Sequence, residues 1–136
     1  MDTCSVRVFP DLKLGVGWLR GSVTGPQYLG CIRALFTDEL WQPGYATLWQ
    51  VSEASEVVFL PKDIDDVMSA WDELRERRGD GKLAYVVGRP VMHDLFFLLA
   101  VKDKDSNRPT ALFWSVEEAL KWIGVKETSI VSTGTA

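Results

Sequence analysis

The sequence predicts one α/β domain with a mixed, mostly parallel sheet of about five strands. Segments with strand patterns alternate with segments of helical periodicity, which is typical of parallel strands joined by helical crossovers. The chain has 136 residues, of which 46% are hydrophobic and 25% charged, and these values suit a single globular domain with a core. We expect residues 1–124 to form the domain and residues 125–136 to form a polar, flexible tail.

An N-terminal antiparallel hairpin is predicted by two alternating stretches. Residues 5–9 (SVRVF) and 12–24 (LKLGVGWLRGSVT) alternate polar and apolar side chains, and the Pro-Asp pair between them is typical of a turn. Gly15 and Gly17 are poor strand residues, so they indicate either a bulge or a close approach of another segment.

The first helix is predicted directly after the hairpin. Thr24 is a suitable N-cap, Pro26 fits the first turn, and apolar side chains keep helical spacing until the Gln-Pro-Gly stretch at 42–44. A buried strand is predicted at 46–52 (ATLWQVS), followed by a short extended run at 57–60 (VVFL).

The clearest helical pattern covers residues 62–78. Its apolar residues recur at helical spacing, and three aspartates stand in its first turn, at Asp63, Asp65 and Asp66. Arginines stand in its last turn, and this polarity matches the helix macrodipole. A Gly-Asp-Gly stretch ends the pattern, and a buried strand is predicted at 82–87.

The stretch RPVMHDLFFLLAVKDKD (89–105) has an unusual composition. Residues 91–101 contain two polar side chains, yet the run is too short to cross a bilayer as a helix. Because the strands at 82–87 and 110–114 should be parallel, the connection between them should be helical, and we expect a helix over 90–102. The predicted core face consists of Met92, Leu95, Phe96 and Leu99. A second apolar face then remains, made of Val91, Phe97, Leu98 and Val101.

The last part of the chain predicts a strand and a short helix. Residues 110–114 (TALFW) have a strand composition, and Ser115 with Glu118 forms a capping box. Gly124 is a suitable C-terminal stop for the helix that follows.

Composition and charge argue against several classes of function. The formal net charge is −4 and no basic cluster with interleaved aromatics is present, so we expect no nucleic-acid binding. No segment is long enough to span a membrane, and the N-terminal residues lack the pattern of a signal peptide, so we expect a cytoplasmic protein. Cys4 and Cys31 are isolated, and we expect two free thiols rather than a disulfide.

No motif indicates catalysis or a metal. His93 is the one histidine, and a partly exposed position at a helix start explains it better than a catalytic role. The aspartates of the 62–78 helix lack the glycine and glutamate of a calcium-binding loop. We therefore expect a non-enzymatic protein without a cofactor or metal. Most tryptophans, Trp114 included, are expected in the core, with Trp18 and Trp41 as candidates for lining a pocket.

The order of elements resembles the STAS fold of the SpoIIAA-like, or anti-sigma-factor antagonist-like, family. The resemblance covers about residues 6–124. It rests on the N-terminal hairpin, on GSVTGPQYLGCIRALF (21–36) as a strand end that runs into the first helix, and on ALFWSVEEALKWIG (111–124). The last segment is similar to that of the bacterial SpoIIAA-like branch. The resemblance implies a STAS/SpoIIAA-like fold.

One function that the resemblance implies is lipid binding. The SpoIIAA-like branch is similar in architecture to CRAL-TRIO lipid carriers, in which a mobile helix gates an apolar cavity. The 90–102 helix would then hold an apolar small molecule or lipid against the sheet, with a peripheral contact to a membrane. The expected ligand-binding residues are Phe96, Phe97, Leu98 and Val101 for the apolar wall and Arg89 for an anionic head group.

Two alternatives remain open. Anti-sigma-factor antagonists are regulatory protein-interaction domains that are switched by phosphorylation of a serine at a helix start. Residues 60–66 contain no serine here, and the nearest are Ser52 and Ser55, so the usual phosphoacceptor is missing. The second apolar face of the 90–102 helix would also be covered if it formed the interface of a homodimer.

Overall fold

The described part of the chain, residues 4–52, 55–103 and 108–126 of a computed structural model, contains seven strands. In chain order these are β1 (Cys4–Phe9), β2 (Leu14–Leu19), β3 (Ser22–Thr24), β4 (Ala46–Val51), β5 (Glu56–Val58), β6 (Leu83–Val87) and β7 (Thr110–Phe113). Five of them form a mixed sheet in the order β1-β2-β4-β6-β7, in which β1 is antiparallel to β2 and the other neighbours are parallel. The predicted α/β class, with an N-terminal hairpin and a mostly parallel sheet, is confirmed.

The helices begin and end largely where their capping residues predict. They are α1 (Gly25–Thr37), α2 (Pro61–Glu73), α3 (Arg75–Arg78), α4 (Pro90–Lys102) and α5 (Val116–Ile123). The Thr24 hydroxyl accepts a hydrogen bond from the backbone N–H of Gln27, and the Gln27 side chain accepts one from the N–H of Thr24. The Ser115 hydroxyl caps α5 by accepting a hydrogen bond from the backbone N–H of Glu118, which is one half of the predicted capping box, and the Glu118 side chain accepts one from the Ser115 hydroxyl instead of the backbone. Gly124 ends α5 in the left-handed conformation with φ 98°.

Two elements differ from the sequence prediction. The helix predicted over 62–78 is divided into α2 and α3, because Leu74 leaves the helical conformation with φ −94° and ψ 10°. The end of the second predicted strand separates as β3, which pairs with β5 in a parallel two-stranded ribbon. Gly21, with a φ of 67°, lies between β2 and β3 and provides the turn that takes the chain out of the main sheet.

The two faces of the sheet are covered unequally. α1, α2 and α4 lie over one face, whereas α5 lies over the other. The first core includes Tyr28, Trp49, Trp71, Tyr85 and Phe96. The second core includes Val16, Trp18, Leu48, Val86 and Leu120. Gly17 allows the close approach that its position predicts, since a Cβ there would collide with the ring of Trp49 on β4.

The expectation of two free thiols is wrong. Cys4 at the start of β1 lies beside α1 and forms a disulfide with Cys31, with the two Cα atoms 6.4 Å apart. The pairing depends on how α1 packs against β1, and a separation of 27 residues gives no local sign of it. Disulfides are uncommon in the cytosol, so the Cys4–Cys31 bond counts against a cytoplasmic location, which stays a prediction.

The predicted tail lies mostly outside the described residues, which end at Lys126. Within the described ranges, no helix has both the length and the apolar character that a membrane span requires.

Candidate functional site

α4 has the bounds that the topology argument predicts. Arg89 is its N-cap residue with an extended backbone, and Pro90 occupies its first turn. The helix carries the chain from β6 to β7 and packs against both strands. Its position beside the edge strand β7 leaves one side of the helix without a neighbour in the described part of the chain.

The inner face of α4 is packed directly against the sheet. Met92, Phe96 and Leu99 are buried, and Phe96 has 0% of its surface exposed. The Phe96 ring centroid lies 5.0 Å from that of Tyr85 on β6 and 6.1 Å from that of Tyr28 on α1. Aromatic side chains therefore occupy the space between this part of the helix and the sheet.

The outer face of α4 exposes large apolar side chains to solvent. Eight such side chains are exposed in the described residues, and four of them are on this one helix. We call these four the outer apolar face: Val91 (59% exposed), Phe97 (61%), Leu98 (39%) and Val101 (49%). Single exposed apolar residues are normal on a protein surface, but four on one side of a helix indicate an interaction site. Asp94, which is exposed, lies at the helical position between Val91, Leu98 and Val101, so one carboxylate stands within this face.

Trp114 is exposed next to the same helix. It directly follows β7, is 55% exposed, and stacks on His93 of α4 with ring centroids 3.8 Å apart. The structure reverses the expectation that Trp114 lies in the core and that Trp18 and Trp41 line a pocket. Trp18 and Trp41 are buried, while Trp114 lies just past β7, beyond which no further strand of the described residues pairs with the sheet.

The structure brings three of the five predicted ligand-binding residues together. Phe97, Leu98 and Val101 share the outer apolar face, whereas Phe96 points to the opposite side of the helix and lies in the core. Arg89 is half-buried at the start of α4, where its Nη1 donates a hydrogen bond to the backbone carbonyl of Ser55 at 2.9 Å.

Both ends of α4 are attached to the rest of the domain. The Arg89 contact with Ser55 holds the start. At the other end, the carboxylate of Asp103 accepts a hydrogen bond from Arg108 Nε at 2.9 Å, and both side chains of this ion pair are almost fully buried. The Arg108 guanidinium also lies 4.6 Å from the ring centroid of Trp71 on α2.

The core beneath α4 contains two buried tyrosine hydroxyls. The side chains of Tyr28 and Tyr85 are fully buried, and the two phenols interact with each other. Burial raises the pKa of both phenols above the ordinary value, and for Tyr28 the neighbouring Tyr85 raises the pKa further. Both phenols are therefore neutral at physiological pH.

The residues that the structure describes contain no group of three or more His, Cys, Asp or Glu side chains placed to hold a metal ion. Asp63, one of the three aspartates noted in the sequence, accepts a hydrogen bond from the backbone N–H of Leu60 at 2.7 Å and so helps to cap α2.

No protein-family model matches the chain, and neither a curated protein nor a solved structure is significantly similar to it. The resemblance to the SpoIIAA-like family is therefore still a prediction from the sequence.

Proposed function

We propose that the protein is a non-enzymatic binding module whose outer apolar face binds a lipid or another apolar molecule, with peripheral contact to a membrane surface. The observation that carries this proposal is the group of four exposed apolar side chains on α4, with Trp114 beside them. A helix that lies at a membrane interface buries such a face at the boundary of the acyl chains, and a tryptophan at its border is typical of that position.

Binding at the outer face agrees better with the geometry than binding beneath the helix. A ligand between α4 and the sheet would have to displace Phe96 from Tyr85 and release the attachments of Arg89 and Asp103. A ligand on the outer face leaves these three contacts in place. The helix can therefore bind without swinging away from the sheet, unlike the gate that the family resemblance implies.

The expected affinity is modest. Fully burying a large apolar side chain stabilises by about 1.5–3 kcal/mol, so burying the exposed part of each of these four contributes about 1 kcal/mol. The sum, about 4–5 kcal/mol before the cost of partly desolvating Asp94, is below that of a single myristoyl chain, which gives reversible membrane binding. The formal net charge of −4 opposes strongly anionic membranes, so we expect a preference for zwitterionic surfaces.

The test compares binding to phosphatidylcholine vesicles for the wild type and for Phe97→Asp and Leu98→Asp. Leu40→Asp is the matched control, because Leu40 is also an exposed leucine but lies beside β1, at the opposite edge of the sheet. Loss of flotation with vesicles in the two α4 variants, and not in the control, supports the proposal. Equal flotation of all four proteins contradicts it.

A regulatory protein-interaction domain, or a homodimer formed through residues 90–102, is the alternative that the same variants can detect. The outer apolar face would then be covered by protein, and Phe97→Asp would dissociate a dimer that does not float with vesicles. A phosphorylation switch at Ser55 has little support, because Ser55 is buried and its hydroxyl donates a hydrogen bond to the carbonyl of Leu19 at 2.7 Å. Ser52 is exposed.

A further inference from the structure

A groove borders the sheet at the edge opposite α4. Within the described residues β1 pairs with β2 alone, so its other side is a free strand edge. A groove of about 610 Å³ is lined by residues 6–12, from β1 through the turn that follows it, and by Asp38 and Leu40. α4 packs near β7, so this groove is separate from the outer apolar face.

The backbone of β1 determines what kind of molecule can fill this groove. An edge strand presents N–H and C=O groups of alternate residues that have no partner within the sheet. A lipid chain would leave these groups without hydrogen bonds, whereas an extended peptide pairs with them at the ordinary spacing between strands. β1 has six residues, which corresponds to a partner segment of about 20 Å.

The side chains around the groove indicate the composition of the partner. Val6 and Leu12 are half-buried, and Leu40 is 51% exposed, so together they form an apolar lining. Asp11 and Asp38 place two carboxylates in the lining, and Oδ1 of Asp38 accepts a hydrogen bond from the backbone N–H of Leu40 at 2.8 Å. The one basic residue in the lining, Arg7, lies with its guanidinium 4.9 Å from the ring centroid of Phe9.

We propose that this groove binds an extended segment of a partner protein, which pairs with β1 and extends the sheet by one strand. The segment carries apolar side chains at alternate positions, which contact Val6 and Leu40, and a lysine or arginine that faces Asp11 and Asp38. This inference is independent of the lipid-binding proposal, because it uses the other edge of the sheet.

The test uses a defined peptide, acetyl-Lys-Val-Thr-Val-Thr-Val-Lys-amide, titrated into ¹⁵N-labelled protein and followed by NMR. We expect saturable shifts confined to residues 6–12 and 38–40. Two further versions of this peptide carry N-methyl groups on alternate residues. One version is methylated on the odd-numbered residues and the other on the even-numbered residues. Because a strand presents its N–H groups to a neighbour on alternate residues, one version should bind and the other should lose at least about ten-fold in affinity.

Variants of the protein test the groove itself. Leu40→Ser should weaken peptide binding by about five-fold, because it removes an apolar contact without adding to the carboxylates of Asp11 and Asp38, and Phe97→Asp, on the distant α4, should leave it unchanged. Asp11→Lys should lower the affinity for the lysine-ended peptide and raise it for a version with glutamate at both ends. Leu40 and Asp11 are exposed turn or loop positions, and circular dichroism checks that each variant is folded.

Four results would overturn the proposal. Equal binding of both N-methylated peptides would show that no strand pairing occurs, and shifts elsewhere would place the peptide at another site. Hydrogen–deuterium exchange of the β1 amides that is slow in the free protein and depends on protein concentration would assign the edge to a second copy of the chain. Slow hydrogen–deuterium exchange that is lost when residues 127–136 are deleted would assign the edge to the chain's own C-terminal segment.

Discussion

Replacing Phe97 by Asp should abolish most lipid binding while leaving the fold intact. Phe97 is 61% exposed and belongs to the outer apolar face, so its ring contributes little to the core. Surface substitutions of this kind usually change the free energy of unfolding by less than about 0.5 kcal/mol. The variant therefore separates binding from stability.

The size of the effect follows from the area that Phe97 can still bury. Full burial of a phenylalanine side chain contributes at most about 3 kcal/mol, and the exposed share of Phe97 corresponds to about 1–2 kcal/mol. Each 1.4 kcal/mol changes an equilibrium constant ten-fold, so losing the ring alone weakens partitioning by about five- to thirty-fold. The carboxylate adds a desolvation penalty, which makes about ten-fold a lower limit.

The assay is partitioning onto phosphatidylcholine vesicles over a range of lipid concentrations, with urea unfolding measured on the same samples. Leu40→Asp provides the control for a charge introduced at an exposed leucine away from α4. The reasoning is refuted if Phe97→Asp partitions like the wild type while remaining as stable. It is also refuted if Leu40→Asp loses as much binding as Phe97→Asp.

Three further predictions concern the fold. Phe96→Ala should destabilise the domain by about 3–5 kcal/mol in urea unfolding, because Phe96 is fully buried. Phe97→Ala should change the stability by less than about 1 kcal/mol, because Phe97 is exposed. Equal effects of the two substitutions would mean that α4 is rotated about its axis. The pKa values of Tyr28 and Tyr85 are raised in the folded state, so the unfolded chain loses these protons first as the pH rises. The stability of the domain should therefore be unaffected by these two groups below about pH 10 and should fall above it, by up to about 1.4 kcal/mol per pH unit for each tyrosine. Tyr85→Phe should reduce the slope of unfolding free energy against pH between pH 10 and 11, and an unchanged slope would contradict the burial of this phenol. Reduction of the Cys4–Cys31 disulfide should lower the free energy of unfolding by about 3 kcal/mol, because the bond closes a loop between residues 27 positions apart. The stability of Cys31→Ser should not change with reductant. A wild-type protein whose stability is equally unaffected by reductant would contradict the disulfide.

Local signals in the sequence predicted the elements that caps define. Thr24, Ser115 and Gly124 have side chains or conformations that act within one helical turn, so their roles can be inferred without the fold. The helical state of α4 came from a longer-range argument. Parallel strands on either side of it require a crossover, and the apolar run itself was ambiguous.

The remaining features depend on packing that no local pattern contains. The position of Trp114 could not be inferred before the strand order placed β7 at an edge of the sheet. Phe96 was expected beside Phe97 in one wall, although successive residues on a helix point about 100° apart, which separates a core position from an exposed one. The groove along β1 was missed for the same reason as Trp114, because a free edge is a property of the assembled sheet.

Methyl NMR in the presence of vesicles or bicelles that contain a spin-labelled phosphatidylcholine tests the central claim most directly. Leu98 and Leu99 are adjacent in the chain, but Leu98 is 39% exposed on the outer apolar face and Leu99 is fully buried. We predict strong broadening of the Val91, Leu98 and Val101 methyl signals, with little change at Leu99 or at Leu40. Broadening that is absent, that is uniform across the protein, or that is strongest at Leu40 would contradict the assignment of α4 as the lipid-binding surface.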